Sequence, residues 1–327
     1  MVLLFGFPEI GGGPPSRFGF EEYPVLTPGD DGFPSVESHY SIRAVERFGI
    51  MRPGRRPLLL HVAAYRDEQG DSHRAVVFLP ESPESGVPEN GVDSALNRLR
   101  WQAWLDAAQA IDRRVGDDAL FISWWDNAQR IHLLTGRKSW VRSPAAELFD
   151  ADHRDFWRRV SGDFVENPEP LRRLAEWLTM GAEEALASIS QTLGKGQGVY
   201  LLASTDDLAR ISEISKLSGR PLPFETRIFQ TGGNIHNLIA RVKRWAREKG
   251  SSSYLVQRLP GVGVRAWRIT APAGEKMLIA RLLPFTSSLS NHLPDGLDLV
   301  YRSEWGGFLS IYRWRPSESV QQSRGTE

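Results

Sequence analysis

The chain of 327 residues contains no cysteine. That absence excludes disulfides, thiolate metal sites, haem attachment through Cys-x-x-Cys-His and a cysteine nucleophile. It leaves the redox compartment open, because a chain without thiols suits either environment. Net charge is lacking as well: 40 lysines and arginines balance 40 aspartates and glutamates, for a formal charge of +0. No overall field draws the protein to nucleic acid or to an anionic membrane, so such an attraction would need a local patch. Long apolar runs are also missing. The opening Met1-Val-Leu-Leu-Phe-Gly-Phe7 is apolar, but Pro8 and Glu9 follow at once and no basic region precedes it. It is too short for a signal-peptide core or a membrane span. Either the protein is cytoplasmic, or this start has lost an export or anchor segment. There is no internal repeat.

What is present is ordinary globular material, 41% hydrophobic and 24% charged, enough for roughly two domains or one larger unit. Residues 1–35, with Gly11-Gly-Gly-Pro-Pro15, read as an irregular N-terminal arm. Residues 57–65 and 74–79 are apolar runs on either side of the polar turn Asp67-Glu-Gln-Gly-Asp71, which predicts a β-hairpin. Helix signals at 92–115, 127–134, 145–160, 169–193, 208–217 and 234–249 then alternate with short apolar runs at 120–124, 199–203 and 224–229. Pro168 and Pro170 suit a helix start, Gly136 and Gly250 suit helix ends, and Ser204-Thr-Asp-Asp207 supplies N-cap residues. The alternation predicts an α/β fold over 36–250, with a mostly parallel or mixed sheet covered by helices. Strand-like runs at 254–258, 264–270, 276–283, 298–301 and 308–314 predict an antiparallel C-terminal β extension, or small second unit, over 251–315. Residues 316–327 read as a disordered tail.

The segment Ala119-Leu-Phe-Ile-Ser-Trp-Trp-Asp-Asn-Ala-Gln-Arg-Ile-His-Leu-Leu-Thr-Gly136 reads as a buried strand that delivers an aromatic, acid, amide and base cluster to a helix start. Open α/β sheets place ligands at such strand ends. Trp124, Trp125, Asp126, Gln129, Arg130 and His132 are therefore candidates for binding a partner or ligand. The structural alternative has Asp126 capping the helix and the tryptophans divided between core and surface. Thr231-Gly-Gly-Asn-Ile-His236 lies between a strand and a helix, so Gly232, Gly233 and Asn234 could hold an anion, although Asn234 is also a sufficient N-cap. The seven histidines show no metal-ligand spacing, so neither a metal nor another cofactor is expected. Ser123, Ser204 and Ser310 lack a Gly-x-Ser-x-Gly elbow. In Arg241-Val-Lys-Arg-Trp-Ala-Arg-Glu-Lys249, Leu238, Val242 and Trp245 fall on one helical face, leaving the bases to solvent. A Trp-Trp-Asp triplet also occurs in the catalytic subunit of oligosaccharyltransferases, in a domain that follows many membrane spans. No such spans are present here, and that likeness is set aside.

Three segments in order, Phe121-Ile-Ser-Trp-Trp-Asp-Asn-Ala-Gln-Arg-Ile-His-Leu-Leu-Thr-Gly-Arg137, Pro221-Leu-Pro-Phe-Glu-Thr-Arg-Ile-Phe229 and Leu259-Pro-Gly-Val-Gly-Val-Arg-Ala-Trp-Arg268, resemble the hydroxylamine oxidation protein HaoB family over residues 40–315. The resemblance implies partnership with hydroxylamine oxidoreductase, a periplasmic multihaem cytochrome. It implies a non-catalytic accessory role in that enzyme's maturation, assembly or docking, without haem on this chain. It also implies a periplasmic, membrane-associated location through an N-terminal anchor, of which this sequence carries only a fragment. The competing expectation is an α/β enzyme or small-ligand binder built on Asp126 and the Gly232-Gly233 turn.

Overall fold

A computed structural model describes residues 19–27, 38–52, 55–78, 92–194, 198–230, 234–248, 252–259, 263–290, 293–304 and 308–316. The first four strands, β1 (Gly19–Leu26), β2 (Ile42–Arg52), β3 (Arg55–Arg66) and β4 (Ser72–Phe78), form an antiparallel meander in chain order. The hairpin expected around Asp67 is β3 and β4. Its turn is held by the Asp67 carboxylate, which accepts from the backbone N–H groups of Gln69 and Asp71. Both faces of this meander are covered, because a period of two sends Phe48, Leu60, Val62 and Val76 into one core and Val45, Ala63, Tyr65, Ala75 and Val77 into another.

A five-stranded mixed sheet, in the order β11 (Leu297–Arg302), β12 (Leu309–Trp314), β7 (Val199–Ser204), β5 (Leu120–Ile122), β6 (Lys138–Ser139), carries the centre of the molecule. Its β5–β6 and β5–β7 pairs are parallel, and β12 runs antiparallel beside β7. Every residue of β7 is buried, as expected of a strand covered on both faces. Helix α1 (Val92–Arg114) covers one face with Trp101, Trp104, Ala108 and Ile111, a stripe at helical spacing. Helices α4 (Glu169–Thr179) and α5 (Ala182–Leu193) bury Leu171, Leu174, Trp177, Ala185, Leu186 and Ile189 in the core on the other side. The third sheet, β8 (Phe224–Gln230), β10 (Gly263–Ile269) and β9 (Tyr254–Leu259), is antiparallel and packs on α7 (Ile235–Ala246) through Leu238, Val242 and Trp245. This is the mixed α/β architecture expected, with antiparallel strands at the C-terminal end. Strand pairing crosses residue 250 twice, since β8 pairs with β10 and β7 with β12.

Four local expectations are corrected. Within the N-terminal arm, Gly19–Leu26 form a strand along the edge of β2, where Pro24 is tolerated because an edge strand need not donate at every position. Residues 145–160 hold two single 3-10 turns before α3 (Arg154–Ser161), because Phe149 is extended and its ring stacks on Trp157 at 4.9 Å. Residues 169–193 break into α4 and α5 at Met180, whose carbonyl accepts from Leu278 N–H at 2.9 Å. Residues 276–283 contain the short helix α8 (Leu278–Leu282) in place of a strand. Its apolar run fits either state, and burial of Leu278, Ile279, Ala280 and Leu282 decided for the helix. The tail at 317–327, and the remainder of the arm at 1–18 and 28–37, lie outside the described residues.

Candidate functional site

Parallel pairing of Leu120 with Val199, Phe121 with Tyr200 and Ile122 with Leu201 brings the carboxyl ends of β5 and β7 to the same edge. Beyond β5 the chain continues as Ser123-Trp124-Trp125-Asp126-Asn127 into α2 (Trp125–Thr135). Beyond β7 it continues as Thr205-Asp206-Asp207 into a 3-10 turn and then α6 (Ile211–Ser218). This is the edge where open α/β sheets gather polar residues. Asp126 does not cap α2: Trp124 holds the N-cap position without a side-chain bond, and the Asp126 carboxylate turns along the helix to Arg130. Gly136 ends α2 as expected, with φ 67° and its N–H bonded to His132 O.

Helix α2 is covered on nearly every side; of its eleven residues only His132 is even half-buried. A helix so enclosed must satisfy its polar side chains internally. Arg130 does so with three nitrogens: Nε donates to Val77 O at 3.1 Å, one terminal nitrogen to Asn127 Oδ1 at 2.7 Å, and the other to Asp126 Oδ2 at 3.1 Å. Its guanidinium also lies 5.3 Å from the ring centre of Trp104. Asn127 Nδ2 donates in turn to Asp207 Oδ1 at 2.8 Å, and Asp207 Oδ2 accepts from the Ser204 N–H at 2.8 Å. Trp124 and Trp125 both donate their indole N–H groups to Glu213 Oε2, at 3.2 and 3.3 Å, with Arg210 3.8 Å from the other Glu213 oxygen. Arg100 pairs with Asp206, and Gln257 donates to Thr205 Oγ1 at 3.2 Å. Asp126 Oδ1 has no hydrogen-bond partner among the described residues.

The electrostatics follow from enclosure. Burial, helped by the charge of Asp126, pushes the Asp207 carboxyl up from 3.8 to about 7. Burial also raises Glu213, against the opposing charge of Arg210. Burial lowers Arg130 while Asp126 holds it up. Three ion pairs, Arg130 with Asp126, Arg210 with Glu213 and Arg100 with Asp206, balance one another's charge inside the protein.

Gln129 ties α2 to its surroundings: its oxygen accepts from Val76 N–H at 3.0 Å, and its amide donates to Arg142 O at 3.0 Å and Ser161 O at 2.8 Å. His132 is half-buried among Tyr40, Tyr65 and His73, its Nδ1 2.8 Å from the Tyr65 hydroxyl. Burial, with the nearby charge of Arg142, pushes His132 down to about 3. Thus Trp124, Trp125, Asp126, Gln129 and Arg130 do come together, but as packed interior, each at most 4% exposed. Of the five, Gln129 also lines a cleft, together with Arg74 and Arg142. Asn234 caps α7, its side chain accepting from His236 N–H, whereas Gly232 and Gly233 lie outside the described residues. The residues not anticipated are Arg100, Asp206, Asp207, Arg210 and Glu213. Asp206 and Asp207 stood in the sequence as helix caps, but no side-chain cap bond forms at that 3-10 turn, and both carboxylates face the cluster. No group of three or more metal-ligating side chains occurs among the described residues. No helix among them is long and apolar enough to cross a membrane.

A family described as HaoA-associated protein HaoB matches residues 14–314. The chain belongs to the HaoB family. That match takes in β5, α2, β7 and the whole buried cluster, as well as the three segments that carried the resemblance in the sequence. The description of the HaoB family states association with HaoA, the hydroxylamine oxidoreductase. No curated protein matches. Among solved structures, the crystal structure of the C. jejuni PglB C-terminal domain aligns with 65% of this chain and 99% of that one, at 8% identity and a TM-score of 0.40. A likeness at that level carries no argument about this HaoB-family chain.

Proposed function

We propose that this HaoB-family chain is a non-catalytic accessory protein of hydroxylamine oxidation that docks on HaoA in the periplasm and aids its maturation or assembly. The observation that carries this reading is the family match across 14–314, whose description names HaoA as the associate. The buried cluster supports it from the other side. Asp126 pairs with Arg130, Asp207 accepts from Asn127 and Glu213 lies beside Arg210, all of them buried, and a group that no substrate reaches is poorly placed for acid or base catalysis. The role of the cluster is then to lock α2 between the meander and the central sheet, so that docking falls to outward-facing residues.

Affinity-tagged chain, expressed in cells that make HaoA, should retain HaoA through purification, and a strain lacking the chain should accumulate less haem-loaded HaoA. Absence of HaoA from every eluate, together with normal loading in the deletion strain, would sink the proposal. The second reading, an enzyme or small-ligand binder built on Asp126, draws on one observation: β5 and β7 bring Asp126 to Asp207 and Glu213, and burial raises the latter two. It requires an opening of α2 against α6, and Asp126→Asn distinguishes the two. Retained folding and HaoA recovery with loss of a measured turnover would favour the enzyme.

A further inference from the structure

The chain as a whole is charge-balanced, yet one cleft is not. A cleft of about 770 Å³ opens between the meander, the segment after β6 and the end of α3, and its lining includes six arginines against a single aspartate, Asp163. In a protein with 40 basic and 40 acidic residues, such segregation is a local arrangement and not a by-product of general basicity. Clefts lined by charge of one sign concentrate field and attract counter-ions of the other.

Three of the arginines are already neutralised within the fold. Arg74 pairs with Glu46 at 3.0 Å, Arg158 with Asp155 at 3.0 Å, and Arg159 with Glu22. The other three, Arg43, Arg66 and Arg142, make no hydrogen bond or ion pair through their side chains among the described residues. For exposed Arg43 and Arg66 that is common. Arg142, by contrast, is half-buried in the wall of the cleft. The backbone of Arg142 is moreover fixed, since its carbonyl accepts from buried Gln129. Arg142 is thus a cation anchored at its backbone, lining a cleft that also holds the hydroxyls of Ser72 and Ser143.

We infer that this cleft is a binding site for a small polyanion, a molecule bearing two or more carboxylate or phosphate groups, with Arg142 as its anchor and Arg66 and Arg43 at its mouth. The volume lies within the range of small-molecule sites, roughly 300 to 1,000 Å³, and is far larger than one inorganic ion needs. Guanidinium matches the forked geometry of carboxylate and phosphate, and such bonds are about twice as strong as neutral ones. Gln129 is a positioning residue in this scheme, its one amide nitrogen donating to the carbonyls of both Arg142 and Ser161.

Calorimetric titration of the full chain with citrate and with pyrophosphate, against sodium chloride at matched ionic strength, tests this. A glutamate-rich peptide as a third titrant distinguishes a free molecule from carboxylates presented by another protein. Saturable binding of citrate or pyrophosphate is expected, weakening with added salt and falling by about tenfold or more in Arg142→Gln. Arg66→Gln, at an exposed position, serves as a second variant that keeps the fold, and should weaken binding several-fold. The inference is overturned if neither citrate nor pyrophosphate saturates, whether or not the peptide binds, or if both variants bind as tightly as the parent.

Discussion

Asp207→Asn probes the buried cluster through its protons. The Asp207 side chain is 3% exposed and accepts from Asn127 Nδ2 and from Ser204 N–H. Burial and the charge of Asp126 lift it from 3.8 to about 7. The unfolded chain releases this proton near the ordinary value and the folded chain only near neutrality, so between the two the native state holds more protons. Stability contributed by Asp207 is therefore complete below about pH 4, declines as pH rises, and is lost above about pH 7. At roughly 1.4 kcal/mol for each decade of proton affinity, the whole change is about 4 kcal/mol. Asparagine is neutral at every pH and carries no such slope. It adds a constant cost on the order of 1–3 kcal/mol, because one side-chain N–H must face another donor: Asn127 cannot turn over while its oxygen serves Arg130. Urea unfolding followed by far-UV circular dichroism at a series of pH values gives both stabilities. The stability of the parent relative to the variant should fall by about 4 kcal/mol from below pH 4 to above pH 7, turning a lead at low pH into a deficit at high pH. A difference that stays constant across that window would refute the reasoning.

Arg130→Met removes three bonds at once and strands the Asp126 carboxylate, so it should cost about 3–5 kcal/mol in chemical denaturation; a loss below about 1 kcal/mol would contradict the network. Arg130→Lys should recover little of this, because one ammonium cannot reach three acceptors spread around a guanidinium fork. His132 should stay neutral down to about pH 4 by its imidazole nitrogen shifts, since burial first and the charge of Arg142 next hold it at about 3, and Arg142→Gln should let it titrate higher. Titration of His132 near its ordinary 6.5 in the parent would overturn that assignment. Gly296→Ala should lower the melting temperature, because φ there is +83° and a methyl group would sit 2.3 Å from Arg315 O. An unchanged melting point would show that the turn before β11 is not built as described.

The β5–α2 junction was legible because its signals are local: a short apolar run, a helical pattern and a glycine stop within one stretch of chain. The inward stripe of α7 was legible for the same reason, and Leu238, Val242 and Trp245 are buried together. What Asp126 and its neighbours face was not legible. Asn127 meets Asp207 80 residues later and Trp124 meets Glu213 89 residues later, contacts that depend on the register between β5 and β7. Nothing in either strand's own sequence specifies that register. The polar residues of α2 read in the sequence as candidates for a binding surface or pocket, and in the structure Asp126, Asn127, Gln129 and Arg130 are buried and bonded to one another and to neighbouring segments. The arginine cleft was hidden for a related reason. Arg43, Arg66, Arg142 and Arg158 come from separate elements, and no basic run marks them in a chain whose charges cancel.

Strand β12 has a consequence for how the protein is made. It lies along β7, from Leu309 opposite Ser204 to Trp314 opposite Val199, and Thr205 N–H donates to Phe308 O at 2.8 Å. The segment that delivers Asp206 and Asp207 is therefore braced by residues far downstream of it in the chain, which are synthesised well after it. Until they emerge from the ribosome, β7 presents an open, apolar edge, the kind of edge that recruits other strands. Sheets closed by such distant segments also form slowly. A nascent or prematurely ended chain would expose β7 together with the buried acids and arginines beside it, and would be an early target for chaperones and proteases.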